Sequence, residues 1–240
     1  MGQTDYYEEY WSPGDSYPAA IHTEPLYALL EQVVTPASDC LDFGCGDGRT
    51  AGLWLRERAH SYVGVDVSST AVREARERGL DAREIPESGE LSFDSESFDV
   101  VVATEVLEHL FRPDDACREI HRVLRPGGSF AITVPNVAYW RRRVDLALFA
   151  RWNPLGDELA VEQPWRDPHV RFFTLAALRR MLSATGYEVV HAGAVGGALI
   201  EEIPGVRQLA RRRSSAAYRF CERRAPSLLG FRLQAIARKT

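Results

Sequence analysis

The sequence predicts an open, doubly wound α/β sheet, and three observations carry that reading. Short apolar runs alternate with helix-period segments from residue 39 to residue 134. The run Phe98–Ala103 (FDVVVA) is continuously apolar, as in a strand covered on both faces. A glycine-rich turn, Gly44-Cys45-Gly46-Asp47-Gly48, joins the first strand of the series to its first helix.

Taken in order, residues 5–20 are rich in Tyr, Trp, Pro and Gly and read as an irregular arm, not as helix or strand. Residues 24–34 read as a helix with Leu26, Leu29, Leu30 and Val33 on one face. Asp39–Phe43 is the first strand, followed by a helix from about Thr50 to Arg58. Tyr62–Val65 is the second strand and Ser69–Arg78 the next helix, with Ser68 or Ser69 as N-cap and Gly79 as stop. A weak third strand lies near Ala82–Ile85, and Phe98–Ala103 is the fourth. Arg112-Pro113-Asp114-Asp115 opens a helix with a buried stripe of Ala116, Ile120, Val123 and Leu124, stopped by Pro126-Gly127-Gly128. Ser129–Val134 is the fifth strand. Residues 136–168 break the rhythm with three tryptophans and three consecutive arginines, and read as an inserted helix and loop. A helix over Thr174–Thr185, a strand over Tyr187–Ala192, a basic helix over 206–224 and a closing strand over Phe231–Ala237 complete the chain.

At 240 residues this is one large domain, 1–240, with a core large enough to need neither disulfides nor metals. The net charge of -5 is uneven: residues 201–240 carry +7, leaving -12 on the first 200. The basic end reads as a solvated face or as a surface for an anionic partner. Lys239 is the single lysine, so the core has no lysine for a Schiff base or a phosphate loop. The four cysteines (Cys40, Cys45, Cys117, Cys221) form no CxxC pair and no zinc spacing, so no metal is expected. Thiols without a disulfide framework, a polar N-terminus and no long apolar run predict a cytoplasmic protein without a membrane span.

The central motif is Asp42-Phe43-Gly44-Cys45-Gly46-Asp47-Gly48, a D-x-G-x-G-x-G between strand and helix. Glycines there let a ligand approach the backbone, and the following helix offers unpaired N–H groups. A dinucleotide fingerprint would need glycine where Arg49 stands, which argues against a dehydrogenase. The second strand ends in a carboxylate, Tyr62-Val63-Gly64-Val65-Asp66, placed to accept from both ribose hydroxyls of a nucleoside across the strand ends. Alternatively, Asp66 only caps the next helix.

With Leu41–Arg49, Val63–Ser68, Ser97–Leu110 (SFDVVVATEVLEHL), Leu124–Gly128 (LRPGG) and Ser129–Asn136 in this order, the chain resembles a class I S-adenosylmethionine-dependent methyltransferase. The resemblance implies a Rossmann-like seven-stranded sheet, order 3-2-1-4-5-7-6, with the last strand antiparallel. It implies S-adenosyl-L-methionine as cofactor and S-adenosyl-L-homocysteine as product. It places Gly44, Cys45 and Gly46 at the methionine part, Asp66 and Val67 at the ribose, and the backbone of Thr104 and Glu105 beside the methionyl amine. Asp42 would hold the glycine turn. The acid that often meets the adenine amine in this family falls on Pro86 here, leaving Glu84, Glu87 or backbone groups for that contact.

A finer resemblance, carried by Val134–Arg141 (VPNVAYWR) and His169–Thr174 (HVRFFT), points to the subgroup of MetW-type and envelope- or glycan-cluster methyltransferases. Methyl transfer from a sulfonium mainly requires alignment of the nucleophile and exclusion of water, with a general base where the acceptor is a hydroxyl. Base candidates are His169, His109 and Glu105; His169, between the insertion and the next helix, is the chosen one, and His109 suits a structural role. The segment 136–172 would cover the acceptor site. Residues 1–23, with Tyr7, Tyr10, Trp11 and Tyr17, would form an arm that closes over the crevice or packs on the outer helices. Arg141, Arg142, Arg143, Arg151, Arg166 and Arg171 would serve an anionic acceptor if any point inward.

The expected function is methyl transfer to a small-molecule hydroxyl of a natural product, sugar or envelope precursor. The alternative is a MetW-like protein that acts by binding another enzyme. A homodimer and a partner enzyme both stay open. Nucleic acid is not expected, because the net charge is negative and Pro135-Asn136 is not the amino-methylation motif of DNA enzymes.

Overall fold

A computed structural model describes residues 3–11, 23–152, 162, 167–196 and 225–240. Five parallel strands come first: β1 (Asp39–Phe43), β2 (Ser61–Asp66), β3 (Ala82–Glu84), β4 (Phe98–Thr104) and β5 (Leu124–Pro135). β6 (Tyr187–Val195) and β7 (Arg232–Lys239) complete a seven-stranded sheet in the order β3-β2-β1-β4-β5-β7-β6. β7 runs antiparallel to both its neighbours. The order and the single reversed strand are those expected.

Alternation along the strands divides the core. Leu41, Phe43, Val63, Val65, Val101 and Ala103 face α5 (Pro113–Val123) and α7 (Leu175–Ala184), where Cys117, Ile120, Val123, Leu178 and Leu182 are fully buried. Cys40, Val100, Val102, Ala131 and Ile236 face α2 (Thr23–Leu30) and α3 (Gly52–Arg58) through Leu26, Leu29, Leu30, Trp54 and Leu55. Each such aliphatic side chain contributes about 1.5–3 kcal/mol by leaving water. Ser68 caps α4 (Ser69–Glu77) by accepting from the Ala71 N–H, and Thr174 caps α7 in the same way through Ala177.

Four sequence expectations differ from the structure. Residues 3–10 are a helix, α1 (Gln3–Tyr10), where an irregular arm was expected. The helix expected over 24–34 ends at Leu30, and the residues after it form turns. Leu124 belongs to β5 rather than to the stripe of α5: it opens the strand opposite Phe98, with a register shift before Val100. The LRPGG segment therefore bends a strand, with Gly127 at φ +76°, and does not separate helix from strand. The basic helix expected over 206–224 lies outside the described residues.

After β5 the chain enters α6 (Trp140–Phe149), which buries none of its residues and ends in a left-handed cap at Ala150. The root of this segment is fixed. Asn136 is buried, donates to the carbonyls of Ser227 and Gly230, and bridges to Phe173. Among the described residues no helix is long and apolar enough to cross a membrane.

Candidate active site

The carboxyl ends of the parallel strands β1, β2, β3 and β4 lie along one edge of the sheet, where doubly wound sheets take ligands in a crevice. The glycine turn leaves β1 there. Its hold comes from the Val65 carbonyl, which accepts from the N–H groups of Gly44 (2.8 Å) and Cys45 (3.0 Å). Gly44, Gly46 and Gly48 all have positive φ, so the turn favours residues without a Cβ. A Cβ on Gly44 would meet Val106 Cγ2 at 2.4 Å, one on Gly46 the Trp11 indole at 2.8 Å, and one on Gly48 Leu80 at 2.1 Å. These glycines therefore serve close packing as well as access. Cys45 points into the protein against Gly64 and Leu80, so only its backbone faces the crevice.

Asp66 ends β2. Its Oδ2 accepts from Gly46 N–H at 2.8 Å and its Oδ1 from Ser68 N–H at 3.0 Å. Burial raises the carboxyl above its ordinary range, against the pull of those N–H donors. The cap of α4 is Ser68, so Asp66 is not the cap. Val67 comes next at the turn, half-buried. Asp42 is buried and accepts from the Tyr62 hydroxyl at 3.4 Å, so the turn is held by Val65 and Asp66 where Asp42 was expected. Burial pushes Asp42 up to about 7, and the neighbouring Asp66 charge adds to the rise.

α1 packs on the segments that follow these strand ends. Thr4 N–H donates to Glu87, just beyond β3. Glu8 accepts from Ser69 N–H and, at 2.8 Å, from the Thr70 hydroxyl at the start of α4. Despite a burial penalty, these donors hold the Glu8 carboxyl below its ordinary range. Trp11 lies over Gly46, and Tyr7 meets the His109 ring edge-on at 5.8 Å. One short helix and the residue after it thus touch the segments that leave β1, β2, β3 and β4. Glu87 accepts from α1, and Glu84 is exposed. Tyr17 lies outside the described residues.

At the end of β4, Thr104 has a buried hydroxyl without a hydrogen-bond partner. Glu105 adopts φ +55°, donates its N–H to the Thr133 carbonyl, and lies 3.2 Å from the Arg232 guanidinium. A left-handed non-glycine residue at a strand end beside a crevice is a feature of functional sites. The next turn, Leu107–His109, is a 3₁₀ turn whose Glu108 carbonyl accepts from both Val170 and Arg171 N–H groups. Those two bonds bring His169 to His109, ring centroids 4.2 Å apart. His169 Nδ1 lies 2.7 Å from the Asp167 carboxylate, and His109 Nδ1 lies 3.4 Å from the Pro168 carbonyl. Burial and the adjacent His169 pull His109 down to about 3, which keeps it neutral. Glu108 is buried, and neither carboxylate oxygen has a hydrogen-bond partner. Burial first, and then the Glu105 charge, raise its carboxyl well above the ordinary range.

The structure thus brings His169, His109 and Glu105 to one end of the crevice, together with Glu108, Asp167 and Arg232, which the sequence reading did not single out. The nearest sequence signal was the Glu-His pair at 108–109. Of the arginines near the insertion, Arg143 and Arg171 bind backbone carbonyls, and Arg166 lies outside the described residues.

Residues 41–132 match the model of a methyltransferase domain. The chain is 36% identical over 117 residues to the methyltransferase GfsG of Streptomyces halstedii, covering 46% of this chain and 41% of that protein. It is 33% identical over 153 residues to a probable S-adenosylmethionine-dependent methyltransferase of Mycolicibacterium smegmatis, covering 63% and 52%. The chain thus spans about half the length, or less, of these relatives. In fold it is similar to a chain from the complex between the Haloferax volcanii Trm112 methyltransferase activator and a methyltransferase, with a TM-score of 0.66, 19% identity, and 99% and 97% of the two chains covered. Residues 41–132 thus match a methyltransferase domain, and the chain carries the class I methyltransferase fold, with S-adenosylmethionine-dependent methyltransferases among its relatives.

Proposed function

We propose that this protein transfers a methyl group from S-adenosylmethionine to a hydroxyl of a small-molecule acceptor. The observation that carries the reading is Asp66. Its carboxylate is buried at the end of β2 and anchored by two backbone N–H groups. Each carboxylate oxygen has a second lone-pair direction, so the pair can still accept from two vicinal hydroxyls. The residues nearby fit the rest of that cofactor. Gly44, Cys45 and Gly46 present backbone, the partnerless Thr104 hydroxyl lies at the end of β4 beside Glu105, and Val67 flanks the ribose place. Asp42, buried behind the turn, offers a carboxyl acceptor toward an ammonium group.

When bound, the cofactor supplies an electrophilic methyl on a sulfonium. The protein's part is to orient the acceptor oxygen, handle its proton and exclude water. In this reading α1, from the segment 1–23, is a cover, and the described parts of the segment 136–172, residues 136–152 and 167–172, belong to the acceptor side. Asp167 holds His169 by Nδ1, which directs Nε2 to a proton or a cation. The buried free thiols Cys40, Cys45 and Cys117 suit a reducing compartment, the cytoplasm.

The test is calorimetric binding of S-adenosylhomocysteine, followed by transfer from methyl-labelled cofactor to a panel of hydroxylated acceptors. Binding together with label in an ether-linked product is the expected result. Absence of binding would sink the cofactor assignment, and label on nitrogen or carbon alone would sink the hydroxyl acceptor.

A further inference from the structure

A buried carboxylate whose oxygens both lack partners is costly, since each unmet acceptor forfeits its hydration. Glu108 is such a group, and two imidazoles adjoin it. His109 Nε2 lies 3.8 Å from Glu108 Oε1. One ligand-type atom from each of Glu108, His109 and His169 lies within 4.8 Å of the others. Both imidazoles are bound through Nδ1 to an oxygen, the Pro168 carbonyl for His109 and the Asp167 carboxylate for His169. Protein metal sites use this arrangement: an acceptor on Nδ1 fixes the tautomer and leaves Nε2 as the donor to the metal. The Glu108 carbonyl clamps residues 170 and 171 onto the 3₁₀ turn, so segments about 60 residues apart in sequence are locked together at this point.

We propose that Glu108, His109 and His169 bind a divalent transition-metal cation at the acceptor side of the crevice. Two imidazoles and one carboxylate suit Zn²⁺, Mn²⁺, Fe²⁺ or Co²⁺ better than Ca²⁺, which prefers oxygen. Bond lengths of about 2.0–2.2 Å put such ligands about 3–3.5 Å apart, so small side-chain rotations close the site. Three protein ligands leave coordination positions open for water or an acceptor oxygen.

This deepens the methyl-transfer reading, and only the role of the cation rests on that reading; the binding of the cation does not. An acceptor hydroxyl on the cation would lose its proton to water more readily. The oxygen lone pair would then form the O–CH₃ bond as the S–CH₃ bond breaks and its electron pair stays on sulfur. His169 would serve as ligand and not as base.

The test uses the full chain without a histidine tag, stripped with chelator. Co²⁺ alone is titrated and followed by its visible absorption, and bound Zn²⁺ is counted by elemental analysis after dialysis. The expected result is one equivalent of metal, with affinity at least tenfold weaker in Glu108→Gln and in His169→Asn. S-adenosylhomocysteine affinity should stay within about threefold of the native value in both variants, which also reports that they fold. No Co²⁺ binding by the native chain, or undiminished binding in both variants, would overturn the proposal. If one variant fails to fold, the other decides. Cobalt binding without any S-adenosylhomocysteine binding would leave the cation site standing and remove the methyl-transfer reading instead.

Discussion

The two ends of the crevice are built from different materials. Where β1 and β2 end, the surface is mostly backbone: a turn of three left-handed glycines, the N–H groups bound by Val65 and Asp66, and the buried carboxyl groups of Asp42 and Asp66. Where β4 ends, the surface is side chains: Glu105, Glu108, His109, Asp167, His169 and Arg232, drawn from three separate stretches of sequence. A backbone cradle tolerates little change in residue type but suits any ligand of fixed shape. A side-chain cluster varies freely on the same frame, which is how one fold serves many acceptors.

If the first end is a packed backbone device, a Cβ there should damage the fold before it touches a ligand. Gly44→Val would do more than block the methionine place in a folded protein, because the new atoms meet Val106. The milder Gly44→Ala is expected to cost about 2–5 kcal/mol of stability, combining left-handed strain with overpacking. Adding Val106→Ala should return about 1–3 kcal/mol of it. Denaturant unfolding checks both. If Gly44→Ala melts like the native chain, the turn is looser than described.

Asp42 gives a pH test of the same end. Its folded carboxyl sits near 7, pushed up by burial and by Asp66, whereas an unfolded Asp ionises near 4. Between those values the unfolded chain releases a proton that the folded chain keeps. The folded state therefore loses stability as pH rises from about 4 to about 7, and the loss is complete above that. Asp42→Asn removes this dependence. The variant should exceed the native chain by about 2–4 kcal/mol at pH 8 without cofactor, with the gap closing toward pH 4. Thermal melts across that range measure it, and a gap independent of pH would contradict the assignment.

Asp66 separates ligand binding from packing. Asp66→Ala is expected to weaken S-adenosylhomocysteine binding by about 1.5–3 kcal/mol, the range for a hydrogen bond to a charged group. Calorimetry on a variant that still unfolds cooperatively is the measurement. Unchanged affinity would mean that Asp66 only organises the turn.

The same contrast explains what the sequence made legible. β1, β2 and β4 are short, largely apolar segments, and the glycine turn is seven adjacent residues, so pattern and spacing were enough. The seven-strand order came from resemblance, since periodicity alone cannot pair β5 with β7 across some hundred residues. α1 was missed because its sequence, QTDYYEEY, has no apolar stripe; contacts made by Thr4, Tyr7 and Glu8 on other elements hold it. β5 was begun five residues late because Pro126-Gly127-Gly128 looks like a stop, whereas pairing of Leu124 with Phe98 carries the strand through it. The cluster at Glu108 was invisible for a plainer reason: His169 is brought to it by tertiary contacts, the backbone bonds from residues 170 and 171 to Glu108 and the pairing of His109 with the Pro168 carbonyl.

The smallest effect concerns α1, which touches both ends. Trp11 covers Gly46 at the backbone end, while Tyr7 packs edge-on against His109 at the side-chain end. If α1 is a cover over bound cofactor, Trp11→Ala should leave the core intact, because among the described residues the buried core clusters do not include Trp11. It should weaken S-adenosylhomocysteine binding by about 0.5–1.5 kcal/mol, the scale of one aromatic contact, and act mainly on the dissociation rate. Stopped-flow displacement should show dissociation about two- to tenfold faster with little change in association. Were association to speed up instead, with affinity rising, the indole would be occupying the ligand's place and α1 would be a plug that the cofactor must displace. The two outcomes differ in sign, so one variant and one displacement trace decide between a cover and a plug.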